Sequence, residues 1–214
     1  MDALKPGRGA RVHDLLRLAS PRLLQWEHGP EPWAQAALAA CPWVVTRRAP
    51  MRAGRIAVGV RGAQRSQRLA AWVDADQVRE LLRPGELRRR AAGLAPARTA
   101  LGAFRALEQL EQAWREAGPR DWGPAGSAAF ELASGCPSTG PGSDLDIVVR
   151  CPRAPSRARA RAWLEALPAH TQARIDVLLE WPAGGAALAE FAAGSAYLLR
   201  RPQGALLRHA ARSA

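Results

Sequence analysis

The sequence has one lysine, three cysteines and no long apolar run, and each shortage excludes something. No stretch of about 18 apolar residues exists, so no transmembrane helix is expected. The basic N-terminus MDALKPGRGARVHDLLRL lacks the continuous apolar core of a secretory leader, which points to a cytoplasmic protein. Cys41, Cys136 and Cys151 are widely spaced, with no CxxC pair and no Cys/His zinc spacing, which argues against a disulfide framework or zinc site. GxGxxG and GxxxxGK[ST] are both missing, so Rossmann and P-loop readings have no support. No internal repeat is seen.

What is present is arginine. Of 31 basic residues only Lys5 is lysine, and the formal net charge is +12. Alanine, proline and glycine are also abundant, as a GC-rich coding bias would give, so part of the charge is compositional. A chain this basic still attracts polyanions: nucleic acid, a polyphosphate or an acidic protein. Arginine suits phosphate because its planar fork binds two oxygens at once. The 214 residues, 48% apolar, suffice for one large domain or two small ones with a proper core.

The pattern along the chain is mixed. Residues 33–40 read as a helix, 43–48 and 55–62 as strands, and 74–82 as a helix with an aspartate at its start. The stretch 88–97, RRRAAGLAPA, reads as a linker, which divides the chain into domains 1–95 and 96–214. Leu101, Phe104, Leu107, Leu110 and Trp114 recur at helical steps across 98–117, and Gly118-Pro119 ends that helix. Residues 144–150 and 174–181 read as strands, 156–167 and 185–193 as helices, and 196–201 as a last strand. This order implies an α/β (α+β) protein: a mixed sheet with flanking helices, plus a smaller N-terminal α/β domain.

The chemistry lies in residues 126–150, GSAAFELASGCPSTGPGSDLDIVVR. Asp144 and Asp146 are two apart on a predicted strand, so both carboxylates point to one face, with Leu145, Ile147 and Val149 on the other. In RIDVLLE, Asp176 lies opposite the face formed by Ile175, Val177 and Leu179. Neighbouring strands would gather three carboxylates. At about 4 Å and an effective dielectric near 20, each like-charge pair costs roughly 4 kcal/mol, so the cluster calls for protons or a cation. Hard oxygen ligands select Mg2+ or Mn2+, and such ions serve phosphoryl displacement. Gly126-Ser127 upstream suits close approach to a phosphate, with Ser143 beside the acidic pair as a further candidate phosphate contact.

At these residues the chain resembles the DNA polymerase β-like nucleotidyltransferases, in which a Gly-Ser follows a first strand and acidic residues follow on later ones. The strings RVHDLLRL, AVGVRGAQRSQRLAAWV, WGPAGSAAFELASG and SDLDIVVR further resemble the malonate decarboxylase holo-[acyl-carrier-protein] synthases, the phosphoribosyl-dephospho-CoA transferases. The resemblance implies a nucleotidyltransferase-type fold and a reaction. A serine of the apo acyl carrier subunit of malonate decarboxylase attacks the α-phosphate of 2′-(5″-triphosphoribosyl)-3′-dephospho-CoA, and pyrophosphate leaves. Asp144, Asp146 and Asp176 would then be catalytic and metal-holding, Gly126 and Ser127 would hold the outer phosphates, and the first domain would bind substrate or carrier.

Several residues stay open at this point. Arg61, Arg65 and Arg68 read equally as a grip on phosphates or on an acidic carrier and as a solvated basic loop. The basic face at 157–161 reads as a carrier dock or a solvated face. Trp122 reads as an adenine-pocket wall or as core, and Glu131 as ligand or surface. His13 and Asp14 receive no role beyond a helix cap at Asp14. Two other functions compete: a nucleotidyltransferase using an NTP on RNA, protein or a small molecule, and a non-catalytic nucleic-acid-binding module. The last leaves the carboxylates unexplained, since they repel phosphate unless a cation is present, so nucleic acid is not the expected partner.

Overall fold

A computed structural model describes residue 7, residues 9–50 and residues 52–209. The first residues of the N-terminal stretch read above for a leader lie outside them. The described chain divides into two compact units. One runs through Arg83 and includes Ala129–Ser138; the other holds Pro84–Ala128 and continues from Thr139.

Up to Arg83, the described residues of the first unit form a six-stranded sheet and one α-helix. Its elements are β1 (Leu15–Leu18), β2 (Gln25–Trp26), α1 (Pro32–Ala40), β3 (Trp43–Thr46), β4 (Arg55–Arg61), β5 (Arg68–Asp74) and β6 (Val78–Leu82). The order is β2-β5-β4-β3-β1-β6, and every neighbouring pair is antiparallel. Ala34 and Leu38 of α1 join Leu16, Val44, Val58, Val60, Ala71 and Val73 in the core. Pro32 starts the helix at a position where its missing N–H costs nothing.

Residues 74–82 differ from the sequence reading. A 3-10 turn at Ala75–Gln77 leads into strand β6, not a helix. Its Val78, Leu81 and Leu82 pair with Leu18, Leu16 and Leu15 of β1. Strand pairing and burial of Val78 and Leu82 outweigh the helical preference of Arg, Glu and Leu there. Asp14 also differs, because a strand and not a helix follows it. Its carboxylate is fully buried and accepts the Arg11 backbone N–H at 2.7 Å, closing the turn in which His13 takes a positive φ of 72°. Removing that acceptor leaves a part-buried donor unpaired. Asp14→Ala is expected to destabilise the protein by about 1–3 kcal/mol in urea unfolding.

The second unit carries α2 (Pro84–Arg90), α3 (Pro96–Thr99), α4 (Gly102–Ala113), β7 (Trp122–Pro124), α5 (Gly126–Ser134), β8 (Leu145–Arg150), α6 (Arg157–Glu165), β9 (Ile175–Trp181), β10 (Gly184–Ala187), α7 (Leu188–Ala193), β11 (Ala196–Arg201) and β12 (Gly204–His209). α5 starts in this unit, and its residues from Ala129 onward count with the first. The sheet order is β12-β11-β10-β9-β8-β7, and β8 and β9 are its parallel pair. It is thus a mixed sheet. The amphipathic α4 packs on β8 through a face that buries Phe104, Leu107 and Leu110.

The stretch read as a linker is instead folded. Residues 84–90 form α2 against β7, so close that a Cβ at Gly123 would overlap the Pro84 carbonyl. Arg88 lies over the Trp122 ring, 4.6 Å from its centroid. The sequence places the domain boundary at residue 95; in the structure Pro84–Ala95 goes with the second unit. Among the described residues no helix is long and apolar enough to cross a membrane.

Candidate active site at the ends of two parallel strands

Strand alternation and register place the acidic residues. β8 and β9 run parallel with Leu145 opposite Ile175, Asp146 opposite Asp176 and Ile147 opposite Val177. Leu145, Ile147, Val177 and Leu179 are buried, which turns the carboxylates to the opposite face. Asp146 and Asp176 therefore stand side by side across one strand spacing, about 4.8 Å. One residue earlier, the Leu145 N–H donates to the Arg174 carbonyl at 2.8 Å, which sets Asp144 beside Arg174.

Arg174 was not read from the sequence. Its guanidinium donates to Asp176 Oδ2 at 2.6 Å and to Asp144 Oδ2 at 3.4 Å. The cation thus offsets the like-charge repulsion expected among the carboxylates. The signal was available: Arg174 is two residues before Asp176 and shares its face of the strand. As an exposed pair it adds little stability.

Gly126 completes the arrangement. β7 pairs with β8, and the Ala125 N–H donates to the Asp146 carbonyl at 2.8 Å. Gly126 follows with a φ of 58°, and a Cβ there would overlap the Asp146 carboxylate. Only glycine combines that backbone with that approach. α5 begins at this residue, so its first-turn N–H groups, Ser127 among them, make the region beside Asp146 favourable to negative charge. Ser143 is used within its own loop: its hydroxyl accepts the Gly140 N–H at 2.9 Å, shaping the turn that leads to Asp144.

The second unit therefore brings Gly126, Asp144, Asp146, Arg174 and Asp176 together, with Ser127 on the adjoining helical turn. Among the described residues no three His, Cys, Asp or Glu side chains are grouped to hold a metal ion, so the expected three-carboxylate centre is not formed by these side chains. The donor chemistry still suits a hard cation. Mg2+ commonly takes one or two protein carboxylates and completes its shell with substrate phosphates and water. Asp146 and Asp176 supply such a pair.

Arg61, Arg65 and Arg68 lie in the first unit, on the β4–β5 hairpin. Arg61 and Arg68 face each other in register. Arg61 reaches the Ser138 carbonyl at 3.4 Å, and Arg68 braces the turn through the Gln67 carbonyl at 2.9 Å. Arg65 at the tip is exposed, with no hydrogen bond or ion pair among the described residues.

Other open residues resolve structurally. Glu131 is buried and accepts the Ser138 N–H at 2.9 Å. Trp122 is core, edge-on to Trp114 at 5.1 Å. On α6, Arg157 stacks on Phe191 and Tyr197 while Arg161 donates to the Ala192 carbonyl, so these two serve packing against α7. The cysteines are free thiols, and burial, helped by the neighbouring Cys136 thiol, pushes Cys41 up to about 11.

The fold and site define an α+β protein with a carboxylate pair at the ends of adjacent parallel strands. Residues 86–211 match the family model described as the phosphoribosyl-dephospho-CoA transferase MdcG C-terminal domain, and residues 11–84 match that of its N-terminal domain. A Pseudomonas aeruginosa protein named phosphoribosyl-dephospho-CoA transferase is 40% identical over 193 residues, covering 90% of this chain and 89% of its own length. Proteins of that name from Azotobacter vinelandii and Klebsiella pneumoniae are 39% and 37% identical, covering 92% of this chain in each case and 95% and 93% of their own lengths. No solved structure matches. The chain belongs to the phosphoribosyl-dephospho-CoA transferase family and is a transferase.

Proposed function

We propose that this transferase moves the 2′-(5″-phosphoribosyl)-3′-dephospho-CoA group from 2′-(5″-triphosphoribosyl)-3′-dephospho-CoA to a serine of the apo acyl carrier subunit of malonate decarboxylase. The observation that carries the reading is Asp146 set opposite Asp176, with Gly126 packed against Asp146, in a chain of this family. The DNA polymerase β-like assignment belongs to the same proposal.

The serine oxygen bonds to the α-phosphorus, and the bond from that phosphorus to the bridging oxygen breaks. Pyrophosphate leaves with the electron pair, and a phosphodiester remains on the carrier. Asp176 takes the serine proton. Arg174 holds Asp144 and Asp176 in position. The first turn of α5, from Gly126 and Ser127, receives the outer phosphates, which its N–H groups and dipole favour. Asp146 and Asp176, with Asp144 adjoining, would hold Mg2+ or Mn2+, which would supply charge neutralisation at the phosphates. Positioning and electrostatics provide most of the acceleration, as in phosphoryl transfer generally.

Mass spectrometry of the apo carrier after incubation with enzyme, Mg2+ and the triphosphoribosyl compound tests the reading. One added phosphoribosyl-dephospho-CoA on a serine, with equimolar pyrophosphate, is expected. An unmodified carrier, or an adduct formed from ATP or CTP in its place, overturns it. The β4–β5 hairpin has a separate expectation. Replacing Arg61, Arg65 and Arg68 with alanine raises the KM for the triphosphoribosyl compound or weakens carrier binding, and no change in either removes these arginines from recognition.

A further inference from the structure

The first unit holds a cavity of about 800 Å³ that the transfer mechanism does not use. Its size is that of a small-molecule site. The walls mix two chemistries. Leu38 of α1 and the half-buried Trp26 give apolar surface, and Arg17, Arg22 and Arg79 give three guanidinium groups. Gln35 adds a side-chain amide, which can donate and accept.

The three arginines come from separate elements: Arg17 from β1, Arg22 from the 3-10 turn after it, and Arg79 from β6. None of their side chains makes a hydrogen bond or ion pair among the described residues. Glu80 is the cross-strand neighbour of Arg17 but does not line the cavity. Three like charges around one concavity repel each other, and an anion inside relieves that repulsion. Arginine forks match phosphate oxygens, and the indole of Trp26 offers a flat apolar wall for a planar base. The three arginines are exposed, yet they meet around one partly apolar concavity, which a small molecule fills better than the surface of a folded acidic protein does.

We propose that this cavity binds a purine nucleotide through its diphosphate, with the base against Trp26 and the phosphates on Arg17, Arg22 and Arg79. The preference for a dephospho-CoA as that nucleotide rests on the transferase reading; the nucleotide site itself does not.

Calorimetric titration of the full chain with ADP and, separately, with 3′-dephospho-CoA tests this. The variants are R17A/R22A/R79A, the single R79A and D146N, each checked for native circular dichroism. Both ligands are expected to bind the wild-type chain. The triple variant is expected to weaken each at least thirtyfold and R79A at least threefold. Unaltered affinity in the triple variant overturns the proposal. So does binding lost in D146N but kept in the triple variant, which assigns the ligand to the carboxylate site. No binding by the wild-type chain also overturns it. Loss of an acidic carrier with nucleotide binding intact overturns it in favour of a protein dock. Failure of the transferase reading shows elsewhere, as an unmodified carrier while ADP still binds.

Discussion

Asp146→Ala is expected to reduce transfer to the carrier at least about a hundredfold while leaving the protein folded. The carboxylate stands opposite Asp176 in register and is exposed, so its loss leaves no buried hole in the core. The proposed role, holding a cation against phosphates, is worth several kcal/mol in a transition state, and each ~1.4 kcal/mol is tenfold in rate. Asp146→Asn keeps the shape and removes the charge, so it should fail nearly as badly. Single-turnover kinetics with unfolding curves on the same samples decide the matter. Near-normal transfer in either folded variant would remove Asp146 from the chemistry.

The second large effect is expected at a position with no side chain. Gly126→Ala places a methyl group where the Asp146 carboxylate lies and forces an L-residue to a φ of 58°. The backbone part costs about 1–2 kcal/mol. The steric part must move the carboxylate or the start of α5, so transfer is expected to fall at least about tenfold. Gly135→Ala is the control. Gly135 also has a positive φ, 73°, but nothing lies within 4 Å of its added Cβ. It should lose similar stability and keep its activity. If Gly126→Ala transfers as fast as Gly135→Ala, the close approach to Asp146 has no catalytic meaning.

The shared facing of the carboxylates was legible because strand alternation is a strict rule. Two apolar faces, Leu145/Ile147 and Val177/Leu179, fixed where Asp146 and Asp176 point. The register that sets Asp146 opposite Asp176 was not legible, since parallel pairing depends on how the intervening helix α6 returns the chain. Arg174 falls outside the acidic pattern, although its spacing of two from Asp176 puts it on the same face of the strand. The N-terminal sheet was harder to read. Strand β5, RLAAWVD, hides its period behind two alanines. β6 carries good helix formers and is a strand only because β1 pairs with it. β12, GALLRH, is exposed on nearly every residue and so lacks an apolar face to detect. The stretch 88–97 reads as a linker because it mixes a charge run with glycine and proline, yet Arg88 packs on Trp122 and pairs with Glu111. Local composition cannot show that a charged side chain has a ring or a carboxylate waiting for it.

Electron paramagnetic resonance of Mn2+ titrated into the chain tests most directly whether these two strand ends gather a divalent ion. Wild-type protein should bind Mn2+, and D146N and D176N should each weaken that binding at least about tenfold. Equal Mn2+ affinity in all three proteins would contradict the account.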